Sequence, residues 1–179
     1  GHGVSSAFAL KIYRTFGSDT ISKVKKNPYC LANEVFGIGF LLADRIAREL
    51  GIKGDSPFRV QAGVLHVLGK FSAEGHCFVP MSFLKRNTSS LLEVGEEAIS
   101  GAVKALAAKG EVIFEYPDSE SSSRVYFQIL YQAECRVTEA LRQLLGSPSS
   151  LSPHENPKAL EQTRAPMDLL LEEEQREAV

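Results

Sequence analysis

Two stretches of this chain superimpose without a gap: GVSSAFALKIYRTFG, beginning at Gly3, and GIGFLLADRIARELG, beginning at Gly37. Gly3 pairs with Gly37, Val4 with Ile38, Ala9 with Ala43, Ile12 with Ile46 and Gly17 with Gly51, while the basic pair Lys11 and Arg14 recurs as Arg45 and Arg48. Such self-similarity is one supersecondary unit used twice, and it constrains the fold because one unit buries its apolar stripe against a neighbour. Each copy reads as a turn, an amphipathic helix and a glycine stop. The copies are unequal. Ser5 replaces the second glycine of Gly37-Ile38-Gly39, and no leading helix precedes the turn of the first copy.

The turn has a physical use. Its first glycine lets the backbone reverse without a Cβ penalty, and its second lets a ligand approach the amides that open the next helix. Those amides have no partner inside the helix and lie at the positive end of its dipole, so the turn suits a phosphate. A dinucleotide site would follow a strand, read GxGxxG and carry an acid about 20 positions later. Here a short helix precedes the turn, Ala43 makes the pattern GxGxxxA, and no acid lies near Arg59. A GxxxxGK[ST] loop is also absent, so no nucleotide phosphate is cradled here.

Punctuation organises the remainder. Ser18 or Asp19 is placed to cap a helix to about Lys26, Asn27-Pro28 to start the next, and Gly51 to end the one after the turn. Ser56-Pro57 opens another helix, whose Phe58, Ala62, Leu65 and Leu68 share a face. His76 to Pro80 reads as a short strand, followed by helices from about Met81 to Leu91 and across EEAISGAVKALAAKG. In the latter Ile99, Ala102, Val103, Leu106 and Ala107 keep helical spacing and Gly110 stops it. VIFEY and RVYFQI then alternate around the polar turn 117–123 as a β-hairpin, and a last helix runs to Leu145. Helix, short strand, two helices, hairpin and helix is the order of a winged helix. The expected organisation is a repeated helical unit over 1–55, a winged-helix-like α+β domain over 56–146, a flexible Pro- and Ser-rich linker over 147–166, and the start of a further domain over 167–179.

Composition narrows the partners. Between Gly1 and Lys53 eight basic residues face four acidic ones, a local excess of +4 within a chain of net charge −2, whereas Glu172-Glu173-Glu174 closes an acidic end. The first part is suited to an anion. No apolar run reaches the roughly 20 residues that span a bilayer, so no membrane partner and a cytoplasmic location are expected. Cys30, Cys77 and Cys135 are too scattered for a disulfide framework or a metal half-site and read as buried small hydrophobes. The four histidines have no ligand or catalytic spacing, so neither metal nor catalytic residues are expected.

Helix, GxG turn between apolar residues, then helix with a small residue four positions on resembles the helix-hairpin-helix motif, here in tandem. The fold class expected is mainly α with a small β-hairpin: a tandem helix-hairpin-helix bundle followed by a winged-helix-like α+β domain. The resemblance implies DNA as partner, gripped at its backbone phosphates without sequence readout, as duplex or at a single-strand/duplex junction. It assigns the contacts to the amides of Gly37, Ile38, Gly39 and Phe40 with Arg45 and Arg48, and to Gly3, Ser5, Lys11 and Arg14 in the first copy. Ile38, Leu42, Ala43, Ile46 and Ala47 are core residues whether or not DNA binds, so a protein-interaction scaffold with structural hairpins stays open. A lyase-type glycosylase is disfavoured because Phe40, Leu41 and Leu42 stand where that class places a lysine. In the second module Glu96-Glu97 and the acidic hairpin tip disfavour base reading, leaving Lys85, Arg86, Lys104 and Lys109 as its basic contacts.

As a whole the chain resembles the N-terminal region of RecD-like, exodeoxyribonuclease V alpha-like ATP-dependent DNA helicases of superfamily 1. HGVSSAFALKIYRTFG, NPYCLANEVFGIGFLLADRIAREL, EGHCFVP and the terminal EEQREAV carry that resemblance. It implies a parent that unwinds DNA 5′ to 3′ with ATP and Mg²⁺, in repair or recombination on the bacterial nucleoid with other repair proteins. Gln175 is then the parent's adenine contact, and a GxxxxGK[ST] loop is expected beyond Val179. This fragment is expected to bind no cofactor and to catalyse nothing.

Overall fold

The computed structural model describes residues 6–116 and 123–146. Its elements are α1 (Ser6–Phe16), a 3-10 turn (Gly17–Asp19), α2 (Thr20–Lys26), α3 (Cys30–Glu34), α4 (Phe40–Glu49), α5 (Pro57–Ala73), β1 (Phe78–Pro80), α6 (Met81–Leu92), α7 (Glu96–Ala108), β2 (Val112–Glu115), β3 (Arg124–Phe127) and α8 (Gln128–Gly146). The chain is mainly helical with one small antiparallel sheet, as its sequence pattern implied. Gly3, Ser5, the hairpin tip 117–122, the linker 147–166, and the segment 167–179 with Gln175 lie outside the described residues.

The two repeats give α1 and α4, each ending at a glycine in the left-handed region, Gly17 at φ +58° and Gly51 at φ +83°. After α4 the Gly51 amide donates to the Arg48 carbonyl and the Ile52 amide to the Ala47 carbonyl, both at 3.0 Å. This paired closure satisfies carbonyls that the helix end would leave bare. The start read at Asn27-Pro28 is shifted: Asn27 Oδ1 accepts from the Tyr29 amide at 3.1 Å, but Pro28 and Tyr29 form a turn and α3 itself starts at Cys30. Two expected caps are corrected. No side chain caps α2, because the 3-10 turn leads into it and the Thr20 hydroxyl bonds back to the Gly17 carbonyl at 2.8 Å. Nor does the Ser56 side chain cap α5, which begins with Pro57 in its first turn.

Helix α5 packs against α4, α6, α7 and β1. Its buried face is Val60, Gly63, Val64 and Val67, with Leu68, and it includes Arg59. Of the four residues that share a face by sequence, Leu68 is buried, Ala62 and Leu65 are partly covered and Phe58 is exposed. Apolar residues surround this helix on several sides, so periodicity alone could not select the side that meets α6 and α7. Gly63 permits a close approach there, since a Cβ at that position would meet Leu92 Cδ1 at 2.6 Å.

The sheet has the order β1-β3-β2, with Val79 opposite Val125 and Phe114 opposite Val125 in the two antiparallel ladders. Val79, Val112 and Val125 are buried. Pro80 is tolerated because it ends an edge strand, where no further ladder bond is needed. The Met81 amide donates to the Ser123 carbonyl at 2.9 Å and holds the start of α6 beside β3. Residues through Arg136 form one compact unit; a second begins at Val137 within α8, and its described apolar residues Val137, Leu141, Leu144 and Leu145 are exposed. The cysteine expectation is also corrected: Cys30 and Cys77 are only partly covered and Cys135 is exposed.

One hydrophobic cluster runs across position 55, joining Leu31, Ile38, Ala43 and Ile46 to Val60, Val64, Ile99 and Val103. Within it sits an ionic network absent from any sequence pattern. Arg59, 1% exposed, donates from Nε to Asp44 Oδ1 at 2.8 Å and from Nη2 to Oδ2 at 3.2 Å. Its Nη1 donates to the Gly54 and Leu92 carbonyls, each at 2.8 Å. The Tyr29 hydroxyl donates to Asp44 Oδ1 at 2.7 Å, and Arg48 Nε donates to Oδ2 at 3.2 Å. Three side chains, from the turn before α3, from α4 and from α5, therefore meet on one carboxylate. Burial alone would raise the Asp44 carboxyl, but the hydrogen bonds from Arg59 and Tyr29 and the arginine charges outweigh it and hold it below its ordinary value.

Removing one partner leaves the other charge buried. Asp44→Ala is expected to cost about 3–5 kcal/mol in urea denaturation, with partial recovery when Arg59→Met is added. Equal midpoints for the wild type and the single variant would refute that role. Because the folded-state carboxyl is depressed, its contribution is complete above the ordinary value of 3.8 and is lost as pH falls through the lower folded value. The stability gap between wild type and Asp44→Ala should accordingly be constant near neutral pH and shrink below that ordinary value, read from urea midpoints across an acid series.

Candidate nucleic-acid interface

The sequence Val35-Phe36-Gly37-Ile38-Gly39 links α3 to α4. The Ile38 amide donates to the Val35 carbonyl at 3.0 Å, closing a four-residue turn. Gly37, third in that turn, has φ +87°, the position and sign at which a type II turn places glycine. Gly39 differs. Its φ of −90° and ψ of 176° are open to any residue, and a Cβ there would meet nothing within 4 Å. The backbone therefore requires the first glycine and not the second.

Side chains alternate around this path. Ile38 and Phe40 are buried, while Phe36, Gly37 and Gly39 are exposed. The Phe40 ring stacks between Tyr29, with centroids 6.0 Å apart, and His66, at 5.1 Å. Burial and then the Lys70 charge push the His66 imidazole below its ordinary value, which keeps a neutral ring in that stack. With its apolar side chains anchored inward, the turn presents backbone outward. The first intrahelical bond of α4 runs from the Ala43 amide to the Gly39 carbonyl at 3.1 Å, so the amides of Phe40, Leu41 and Leu42 precede it, and no side chain caps them.

The sequence-selected cations are distributed unevenly. Arg45 and Arg48 are both exposed on α4, but Arg48 is also tied to Asp44. Lys11 and Arg14 are exposed on α1. Lys11, which the repeat assigned to the first turn, brings its ammonium to the second: a Cβ on Gly37 would lie 3.5 Å from Lys11 Nζ. That ammonium sits 5.7 Å from the Phe8 ring centroid and 5.9 Å from that of Phe36. Of the second module's basic residues, Lys85 pairs with Glu96 at 3.7 Å, Lys109 donates to Gln61 at 2.6 Å and Arg86 lies over the Phe83 ring.

Beside the turn opens a groove of about 630 Å³, lined by Gly39 and Phe40, Leu65 and His66, and Phe127 and Ile129. The α5 face that sequence periodicity marked as apolar thus lines this groove in part, through Ala62 and Leu65. Sequence reasoning also missed Phe36 as an exposed ring and Asp44 as a buried charge. The available signal for Asp44 was its place beside Ala43 and Ala47 on the apolar side of α4. Among the described residues no group of His, Cys, Asp or Glu could hold a metal ion, and no helix is long and apolar enough to cross a membrane.

Two helices joined by a turn on two exposed glycines, preceded by a related helix of the same pattern, define a helix-hairpin-helix domain. The comparisons agree and narrow the class: residues 1–78 match the family model described as the ATP-dependent RecD2 DNA helicase HHH domain. The chain is similar to the ATP-dependent RecD2 DNA helicase of Deinococcus radiodurans, with 26% identity over 156 residues, covering 83% of this chain and 22% of that protein. It spans about a fifth of the length of that curated relative. These likenesses support an N-terminal RecD-like region that carries the helix-hairpin-helix domain.

The two glycines should separate cleanly by stability. Gly37→Ala forces a side chain into the left-handed region and is expected to cost about 1 kcal/mol or more. Gly39→Ala should be neutral within about 0.5 kcal/mol, because its backbone angles and surroundings accept a Cβ. Thermal unfolding of both variants checks the pair; a larger loss for Gly39→Ala would contradict the turn geometry.

Proposed function

We propose that this chain is the non-catalytic DNA-gripping region of an ATP-dependent 5′ to 3′ DNA helicase, holding backbone phosphate on the amides of Gly37, Gly39 and Phe40; the Ile38 amide, expected from sequence to join them, is spent on the Val35 carbonyl. The observation that carries this reading is Gly39. It is exposed, its conformation does not need glycine, and open space surrounds its missing Cβ. A hairpin serving only to pack has no use for that absence. A phosphate that must approach the α4 amides does.

Lys11, Arg45 and Arg48 supply exposed positive charge around the turn, in keeping with binding dominated by phosphates and indifferent to sequence. The module that holds the β1-β3-β2 sheet, taken here as winged-helix-like, is in this reading a support or docking element. Its paired lysines and its acidic Glu96 and Glu97 favour that over base readout. ATP and Mg²⁺ belong to a motor elsewhere in the parent, with Gln175 as its adenine contact, and work in repair or recombination in the bacterial cytoplasm follows from the same reading. The competing scaffold reading predicts that Gly39 is dispensable.

Gly39→Ala should retain the wild-type unfolding temperature yet weaken duplex DNA binding roughly tenfold, the scale of one charge-assisted hydrogen bond. Replacing Arg45 and Arg48 with alanine should lower affinity and flatten the log–log salt dependence by about 0.9 for each phosphate that is no longer neutralised. Fluorescence anisotropy across a salt series measures both. Absence of binding at low salt, or an unaltered slope and affinity in these variants, would leave the scaffold reading standing.

A further inference from the structure

Phe36 is 94% exposed, more than any other large apolar side chain among the described residues. It occupies the second position of the turn closed by Val35 and Ile38, immediately before left-handed Gly37, so its ring stands at the apex of the candidate phosphate site. Leaving a phenyl ring in water forfeits the free energy that its burial would contribute. Nothing in the turn requires an aromatic residue at this place, since Gly37 supplies the reversal and Ile38 the anchor.

The ring is not isolated from charge. Lys11 Nζ lies 5.9 Å from its centroid, as a cation held near an aromatic face does, and the same ammonium lies 3.5 Å from where a Cβ on Gly37 would stand. An aromatic face and a cation thus meet on the turn that leads into the helix-opening amides of α4. These match the three surfaces of a single nucleotide: base, phosphate charge and phosphate oxygens. A base inside an intact duplex has both faces covered by its neighbours, whereas an unpaired base offers a free π-face to an aromatic side chain.

We infer that Phe36 is a base-stacking residue, and that the site takes the unpaired nucleotide at a single-strand/duplex junction in preference to uninterrupted duplex. This rests on the proposed phosphate contact at Gly37, Gly39 and Phe40 and adds to it the choice of DNA structure. Lys11 holds the phosphate of that nucleotide, while the neighbouring duplex is bound without sequence preference.

The test uses the 179-residue chain, which contains no tryptophan. Phe36→Trp installs a single indole at the apex, and forked DNA should quench its fluorescence more than blunt duplex of equal length. Phe36→Ala should weaken binding to forked DNA roughly five- to tenfold, the low end for removing one base–aromatic stack, with little change on blunt duplex. A fork whose junction nucleotides are abasic should bind wild type and Phe36→Ala alike. Equal forked-DNA affinity for wild type and Phe36→Ala, or quenching indifferent to the junction base, overturns the inference and assigns the ring to a protein contact. If Gly39→Ala still weakens duplex binding in that case, the phosphate site survives and only the stacking role falls. If no DNA of any form binds, both fall.

Discussion

The buried pairing of Asp44 with Arg59 is the interaction on which the rest of the described structure hangs. It joins α4 to α5 directly, and through the remaining hydrogen bonds of Arg59 it also fixes the Gly54 loop and the end of α6 at Leu92. Such a pair adds little net stability, because desolvating two charges offsets most of their attraction. Its contribution is geometric. A bidentate guanidinium accepts one orientation of a carboxylate, so α4 can meet α5 in one register, while apolar contact alone would tolerate several.

The same network reaches the candidate site through Tyr29. The Tyr29 hydroxyl bonds to Asp44 while its ring stacks on Phe40, the first residue of α4. Burial, then this hydrogen bond, pushes the phenol upward, so it remains a donor at physiological pH. His66 closes the other side of the Phe40 ring. The amides that begin α4 are consequently held by side chains pointing away from them, and the surface facing solvent is left to backbone, two glycines and the Phe36 ring. Rigid support below and bare backbone above is what recognition of a uniform polymer backbone asks for.

Much of the local architecture was legible before any coordinates. Gly17, Gly51 and Gly110 mark helix ends because only glycine enters the left-handed region at low cost, and all three have positive φ. The spacing of Ile99, Ala102, Val103 and Leu106 identified the buried face of α7 because that helix has one apolar stripe. Helix α5 defeated the same reasoning, since its residues are apolar on the face toward α6 and α7 and again on the face toward the groove. The caps expected from Asp19 and Ser56 failed because a hydroxyl or carboxylate in the right place in sequence need not turn toward the helix; a 3-10 turn and Pro57 open those helices instead.

By itself the sequence determined the repeat, the turn and the order of helices and strands, because each is written in local periodicity or glycine placement, and its particular segments carried the resemblance to a RecD-like N-terminal region. Only the tertiary structure decided which charges are spent internally and which face outward. Asp44 and Arg59 look like surface residues in one dimension, and Lys11 belongs by repeat to a different turn from the one its ammonium reaches. The reason is physical: backbone conformation is governed by near neighbours in the chain, whereas burial, ion pairing and the convergence of Phe36 with Lys11 depend on which helices pack together.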